Sequence, residues 1–191
     1  MRRLAILASY NGSGFDAIYK AIQNKELDFQ VVLVISNNSD AVVLHKSKIR
    51  QIDHFIVNQK LFEDPNREIL NLLQNYRCEY VFLSGYMKKI SPLITKNFKV
   101  INSHPSLLPK FGGVGMYGRR VHEAVIAAKE IQSGVTIHEV NENYDEGKIV
   151  LQKRVLLDAD ESVETLEAKV KKLFKEETSL KLAHLYKHPD L

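Results

Sequence analysis

An asparagine and a histidine stand one residue apart in the stretch Val100-Ile101-Asn102-Ser103-His104-Pro105-Ser106-Leu107-Leu108-Pro109. Residues i and i+2 of a strand point to the same side, so Asn102 and His104 can present an amide and an imidazole to one point. An asparagine N–H can hold the oxygen of a carbonyl under attack and stabilise the charge that develops there. His104 can hold or move a proton near neutral pH. A carboxylate such as Asp145, in the turn 141–147, can orient the imidazole, favour its charged form and relay a proton through water. No serine or cysteine nucleophile is obviously paired with these three. The chemistry they suit is direct acyl transfer between two bound substrates, in which positioning supplies much of the rate. Taken alone, an Asn-x-His pair more often caps a strand end or satisfies a loop, so its weight depends on the rest of the chain.

The elements that must position these residues are legible in order. Leu4-Ala5-Ile6-Leu7-Ala8 is a compact apolar run ending in Ser9-Tyr10-Asn11-Gly12-Ser13-Gly14, and apolar residues follow at 15, 18, 19 and 22. This reads as buried strand, glycine turn and helix. Such a turn exposes backbone N–H groups at a helix start and can hold a phosphate, although an ordinary tight turn looks the same. It is not a dinucleotide fingerprint, for want of a third glycine. Residues 29–35 form a second strand, 36–40 a turn able to cap a short helix from Ala41, and 52–57 a third strand. A helix over 66–76 turns Ile69, Leu70, Leu72 and Leu73 inward. Strands at 78–83 and 99–103 follow, the first ending at Ser84-Gly85-Tyr86-Met87.

Beyond the Asn-x-His stretch, residues 110–118 hold four glycines in a loop that must flex or approach something closely. A helix over 120–129, strands at 133–140 and 149–157, and an amphipathic helix over 162–186 complete the chain. Ser162 and Thr165 lie near the N-cap of that helix, and Leu166, Val170, Leu173 and Phe174 form its apolar stripe. The alternation predicts an α/β, doubly wound, mostly parallel sheet with helices on both faces, built as a single domain over 1–191. In such sheets ligands bind outside the carboxyl ends of the strands, where Gly12, Gly85 and Asn102 all fall.

A hydrophobic share of 45% and a charged share of 26% are ordinary for a globular protein, and the mean hydropathy of -0.21 agrees. No run approaches the roughly 20 apolar residues of a membrane span. Met1-Arg2-Arg3 leads into a short apolar segment without an Ala-x-Ala-like cleavage site, so the expected compartment is the cytoplasm. The single cysteine, Cys78, excludes an internal disulfide and a cysteine-based zinc cluster, and its apolar neighbours suggest a buried thiol. His45, His54, His184 and His188 show no metal-ligand spacing, so no metal is expected. His122 reads as structural and His138 as a partner behind the site. A net charge of +4 suits phosphates or carboxylates. Lys169, Lys171, Lys172 and Lys175 read as a solvated helix face rather than a nucleic-acid patch.

Asn102-Ser103-His104-Pro105-Ser106-Leu107-Leu108-Pro109, with Gly134-Val135-Thr136-Ile137-His138 and Tyr144-Asp145-Glu146-Gly147, resembles the 10-formyltetrahydrofolate-dependent formyltransferases. Asn11-Gly12-Ser13 and Gly85-Tyr86-Met87 extend the resemblance over nearly the whole chain. It implies a formyltransferase-like, Rossmann-type fold. In the branch it resembles most, a formyl group passes from 10-formyltetrahydrofolate, a co-substrate, to the amine of glycinamide ribonucleotide (GAR). That step serves de novo purine (IMP) biosynthesis and runs by direct attack through a tetrahedral intermediate. The resemblance implies that Asn102, His104 and Asp145 are catalytic and that Gly12, Ser13 and Gly14 hold the ribose phosphate. Folate would lie against Met87, Lys88, Lys89, Ile90 and Asn102 and against Asn141, Glu142, Asn143, Tyr144 and Asp145, with Arg67 near its glutamate tail. Small-molecule substrates, no nucleic acid, no membrane and a monomer or homodimer are implied as well, and Leu108-Pro109 is a candidate cis bond.

Some positions depart from the family. Gly14 stands where an Asn is common, and Glu139 where an aromatic or apolar residue is expected. Many members hold the sugar with a Glu-x-x-Glu-His or Glu-His block; Phe174-Lys175-Glu176-Glu177-Thr178 stands there, with Phe174 in place of the first Glu. Formyltetrahydrofolate deformylase shares the three residues but has an added N-terminal regulatory domain, and methionyl-tRNA formyltransferase an added C-terminal RNA-binding domain. The length of this chain therefore favours a small acceptor. A sugar-nucleotide N-formyltransferase is the enzymatic alternative. A folate- or phosphate-binding module is the non-enzymatic one, against which the intact trio argues.

Overall fold

In the computed structural model, residues 1–187 are described, with side chains described through 176. The side chains of Glu177, Thr178, His184 and His188 lie outside the described residues. The elements run β1 (Arg2–Leu7), α1 (Ser13–Gln23), β2 (Phe29–Ser36), α2 (Val42–Ile49), β3 (His54–Ile56), α3 (Pro65–Asn75), β4 (Tyr80–Leu83), α4 (Pro92–Asn97), β5 (Lys99–His104), α5 (Arg119–Ala127), β6 (Gln132–Glu139), β7 (Ile149–Leu156) and α6 (Val163–Lys187). Seven strands form one sheet in the order β3-β2-β1-β4-β5-β6-β7. β1 runs parallel to β2 and to β4, and β2 parallel to β3, while β6 and β7 pair antiparallel. The chain falls into two compact units, Met1–Ile101 and Asn102–Leu191.

In the first unit β1, β2 and β4 are apolar along most of their length because they are buried on both faces. Phe15, Ile18 and Ala21 bury one face of α1, and Ile69, Leu72 and Leu73 one face of α3, the 3.6-residue period at work. Full burial of a side chain such as Ile69 contributes roughly 1.5–3 kcal/mol. Leu70, expected inward, is only half-buried. Cys78 is buried, and burial pushes its thiol pKa up to about 11. In the second unit Val125, Leu166 and Val170 form a cluster covered by Phe111, Ile126, Val155 and Leu157.

Several boundaries differ from the sequence reading for identifiable reasons. α1 starts at Ser13, so Ser13 and Gly14 belong to its first turn and only Gly12 precedes it. The turn before α2 does not cap that helix. Its polar groups are spent nearby: Ser36 Oγ accepts from Asn38 N–H at 3.1 Å, and Asn38 Nδ2 donates to the Ser9 carbonyl at 2.7 Å. α3 starts one residue early, at Pro65, because Asp64 Oδ1 accepts the Arg67 N–H at 3.1 Å. The short α4, unforeseen, uses the same device with Ser91 and Pro92. At α6, Ser162 Oγ accepts from Thr165 N–H at 3.2 Å and Thr165 Oγ1 from Ser162 N–H at 3.0 Å, a reciprocal cap. Among the described residues no helix is long and apolar enough to cross a membrane.

Candidate active site

β5 carries Asn102, half-buried, and His104, 3% exposed. β6 carries His138, 1% exposed, just past an irregularity in its pairing with β7 between Ile137 and His138. Bulges of this kind re-aim side chains beside functional sites. His138 Nδ1 lies 2.9 Å from the Glu139 carbonyl, which can only accept, so Nδ1 carries the proton and Nε2 is the acceptor. That Nε2 lies 3.1 Å from Asn102 Nδ2 and takes one of its two N–H bonds. The amide is thus held in one orientation with its second N–H available.

The same reasoning fixes His104. Its Nε2 lies 2.7 Å from the Phe111 carbonyl and must donate. Nδ1 is then bare in the neutral ring and faces Asp145 Oδ2 at 3.6 Å. Asp145 adopts a left-handed backbone, φ 57°, which aspartate tolerates better than most residues. Its Oδ2 accepts the Gly113 N–H at 2.9 Å, and its Oδ1 lies 3.5 Å from His138 Nε2. Gly147 lets the Asp145 loop close, because a Cβ there would collide with the Glu139 carbonyl. Asn102, His104, His138 and Asp145 therefore form one linked set within the second unit.

Burial lowers the pKa of His104, an effect partly opposed by the Asp145 charge and the Phe111 carbonyl and reinforced by His138. Burial works against the Asp145 carboxylate, yet its pKa is lowered overall by the His138 and His104 imidazoles and the Gly113 N–H. A neutral base thus faces a charged partner, and a proton delivered to Nδ1 would be stabilised by Asp145. The loop after β5 is pinned in turn. Leu108 N–H donates to Thr136 Oγ1 at 3.0 Å, Thr136 Oγ1 to the Ser106 carbonyl at 2.7 Å, and Gln152 Nε2 to the Leu108 carbonyl at 2.7 Å. The Leu108-Pro109 peptide is cis.

In the first unit, Gly12 precedes α1 with φ 62°, and a Cβ built on it would lie 2.5 Å from Val43 Cγ2. One face of α2 and its C-cap splint this turn. Val43 N–H donates to the Tyr10 carbonyl at 3.0 Å, and Lys46 Nζ to the Asn11 carbonyl at 2.8 Å and Asn11 Oδ1 at 2.9 Å. Arg50 pairs with Asp16 at 2.8 Å and stacks over Phe15 and Tyr19. The first N–H groups of α1 have no side-chain cap, as an anion-holding helix start requires. After β4, the Met87 N–H donates to the buried Ser9 Oγ at 2.7 Å.

The family model described as formyl transferase matches residues 2–181. The chain belongs to the formyl transferase family. It is 34% identical, over 88% of its length, to the chloroplastic phosphoribosylglycinamide formyltransferase of Arabidopsis thaliana, of which it spans 60%. It is 35% identical, over 90% of its length and 81% of the relative's, to phosphoribosylglycinamide formyltransferase of Haemophilus influenzae. The crystal structure of phosphoribosylglycinamide formyltransferase from Bacillus halodurans matches it with a TM-score of 0.90 at 29% identity, covering 99% of this chain and 97% of that one.

Of the residues singled out in the sequence, this formyl transferase brings His104 and Asp145 face to face and joins Asn102 to them through His138. Gly12, Ser13 and Gly14 lie together at the start of α1. Met87, Lys88, Lys89 and Ile90 follow β4, with Ile90 buried and both lysines exposed. Arg67 is exposed on the first turn of α3. Asn141, Glu142, Asn143 and Tyr144 are exposed in the β6–β7 loop, where Asn143 N–H donates to Asn141 Oδ1 at 2.9 Å. His122 is buried, with Nδ1 unpartnered. Sequence reasoning missed the Phe111 carbonyl and Gly113 N–H, which no residue letter reveals, and Ser9, whose signal was a hydroxyl at the end of an apolar run.

Proposed function

We propose that this formyl transferase moves a formyl group from 10-formyltetrahydrofolate to the amine of glycinamide ribonucleotide, the purine-biosynthetic reaction that its relatives' names describe. The observation that carries the reading is the set Asn102, His104, Asp145 and His138, which supplies an oriented amide and a neutral base backed by a carboxylate. The acceptor nitrogen attacks the formyl carbon, a C–N bond forms, and the former carbonyl oxygen takes the charge. The free N–H of Asn102 holds that oxygen. His104 takes the ammonium proton at Nδ1, where Asp145 stabilises the imidazolium. As the bond from the formyl carbon to folate N10 breaks, the proton passes to N10, and the site returns to its starting state.

In this reading Gly12, Ser13 and Gly14 hold the acceptor's phosphate, while Met87, Lys88, Lys89, Ile90, Asn102 and the residues Asn141, Glu142, Asn143, Tyr144 and Asp145 contact folate, with Arg67 toward its glutamate. Small-molecule substrates alone, the cytoplasm, one catalytic domain and a monomer or homodimer go with it. A second reading, transfer to the amine of a sugar nucleotide, is favoured by Phe174, which is buried at 8% exposure rather than offered to a sugar.

The deciding experiment incubates the protein with 10-formyltetrahydrofolate and either GAR or an amino-sugar nucleotide and follows the formyl carbon. Formylated GAR is the expected product. Formate would assign a deformylase, and formylation of the sugar nucleotide alone the second reading.

A further inference from the structure

The segments that follow β1, β2, β3 and β4 enclose a cavity of about 800 Å³ in the first unit, a size typical of small-molecule sites. One wall is a closed circuit of polar groups. Ser9 Oγ donates to Asn37 Oδ1 at 2.6 Å, Asn37 Nδ2 to Asn38 Oδ1 at 3.0 Å, and Asn38 Nδ2 back to the Ser9 carbonyl at 2.7 Å. Asn58 extends it, donating to the Asn37 carbonyl at 3.0 Å and accepting the Lys60 N–H at 3.0 Å. These amides are engaged in holding the wall, which makes the wall rigid and leaves ligand selection to charge.

That charge is positive. Lys60 and Lys88 line the cavity and are exposed, Lys89 adds a third cation, and Asp40 is the acidic lining residue. Pro65 and Asn66 bring the positive end of α3 to the same space. A single phosphate or carboxylate would leave most of the volume empty, so the fitting ligand is extended and carries several anionic groups. Lys88 and Lys89 belong to the stretch proposed above to contact folate, which makes the occupant continuous with that molecule.

We propose that this cavity takes the γ-linked oligoglutamate tail of a polyglutamylated folate, its carboxylates set against Lys60, Lys88 and Lys89. The inference rests on the folate reading above. Titration calorimetry with tetrahydrofolate carrying one or five glutamates tests it on the wild type and on Lys60→Met, an exposed position. The wild type should bind the pentaglutamate roughly tenfold more tightly, the gain expected of a few partly exposed ion pairs. The advantage should shrink several-fold in Lys60→Met and in high salt.

Equal affinity for the two folates in the wild type overturns this inference and leaves the folate reading standing. No binding of either overturns both. A substitution that weakens both folates equally gives Lys60 a general role and also overturns it. Lys60-dependent binding of AMP or inorganic phosphate, without a pentaglutamate advantage, assigns the cavity to a free phosphate instead.

Discussion

Burial lowers the pKa of His104 while Asp145 and the Phe111 carbonyl raise it, and burial wins. The neutral ring therefore persists to lower pH than an ordinary imidazole, whose value is about 6.5. A base that works when neutral loses activity only as it is protonated, so kcat/KM is expected to fall on the acid side with a midpoint below about 6.5. Asp145→Asn removes a charge that raises His104, so the same limb should move to still lower pH while turnover drops about 10²-fold or more. A pH–rate profile of both proteins checks this, and a limb that moves upward would overturn the role given to Asp145. The three residue types were legible in the sequence because each has its own chemistry and two share a strand face. Their wiring was not. Nothing in the letters says that Phe111 offers its carbonyl or that His138 takes half of the Asn102 amide.

At the scale of elements, the turn before α1 owes its shape to α2. Gly12→Ala would place a side chain in the left-handed region, at about 1–2 kcal/mol, and drive its Cβ onto Val43 Cγ2. Val43→Ala in the same chain should relieve the collision and leave the backbone cost. Thermal melts of the two single variants and the double form a cycle in which the double is more stable than additivity predicts. Independent effects would mean that α2 does not set the turn. The helices and strands were mostly legible because periods of 3.6 and 2 and continuous apolar runs are written in residue types. α4 escaped because six residues with one buried apolar side chain, Ile94, carry too little period to read. The residues before α2 looked like a cap, but their polar groups had competing partners in the turn itself and in Ser9.

At the scale of the whole molecule, the alternation of strands and helices was enough to foresee a mostly parallel sheet, and the short 141–147 turn fits the antiparallel β6–β7 pair. The division into two compact units was not legible, because it falls inside β5 between Ile101 and Asn102 and no linker composition marks it. Cys78 offers a way to watch the first unit alone. It is the chain's single cysteine, and its thiol is both shielded and held protonated, with a pKa of about 11. Alkylating reagents attack the thiolate, so near neutral pH the folded protein should be almost silent toward them. Labelling followed by mass spectrometry should then proceed at the free-thiol rate multiplied by the fraction of time the first unit is open. Gly12→Ala should quicken it, and immediate labelling of the native protein would show that Cys78 is not shielded as described. The residue with no part in catalysis thereby becomes a clock, already built into the chain, for how often the fold that carries Gly12 and the lysine-lined cavity comes apart.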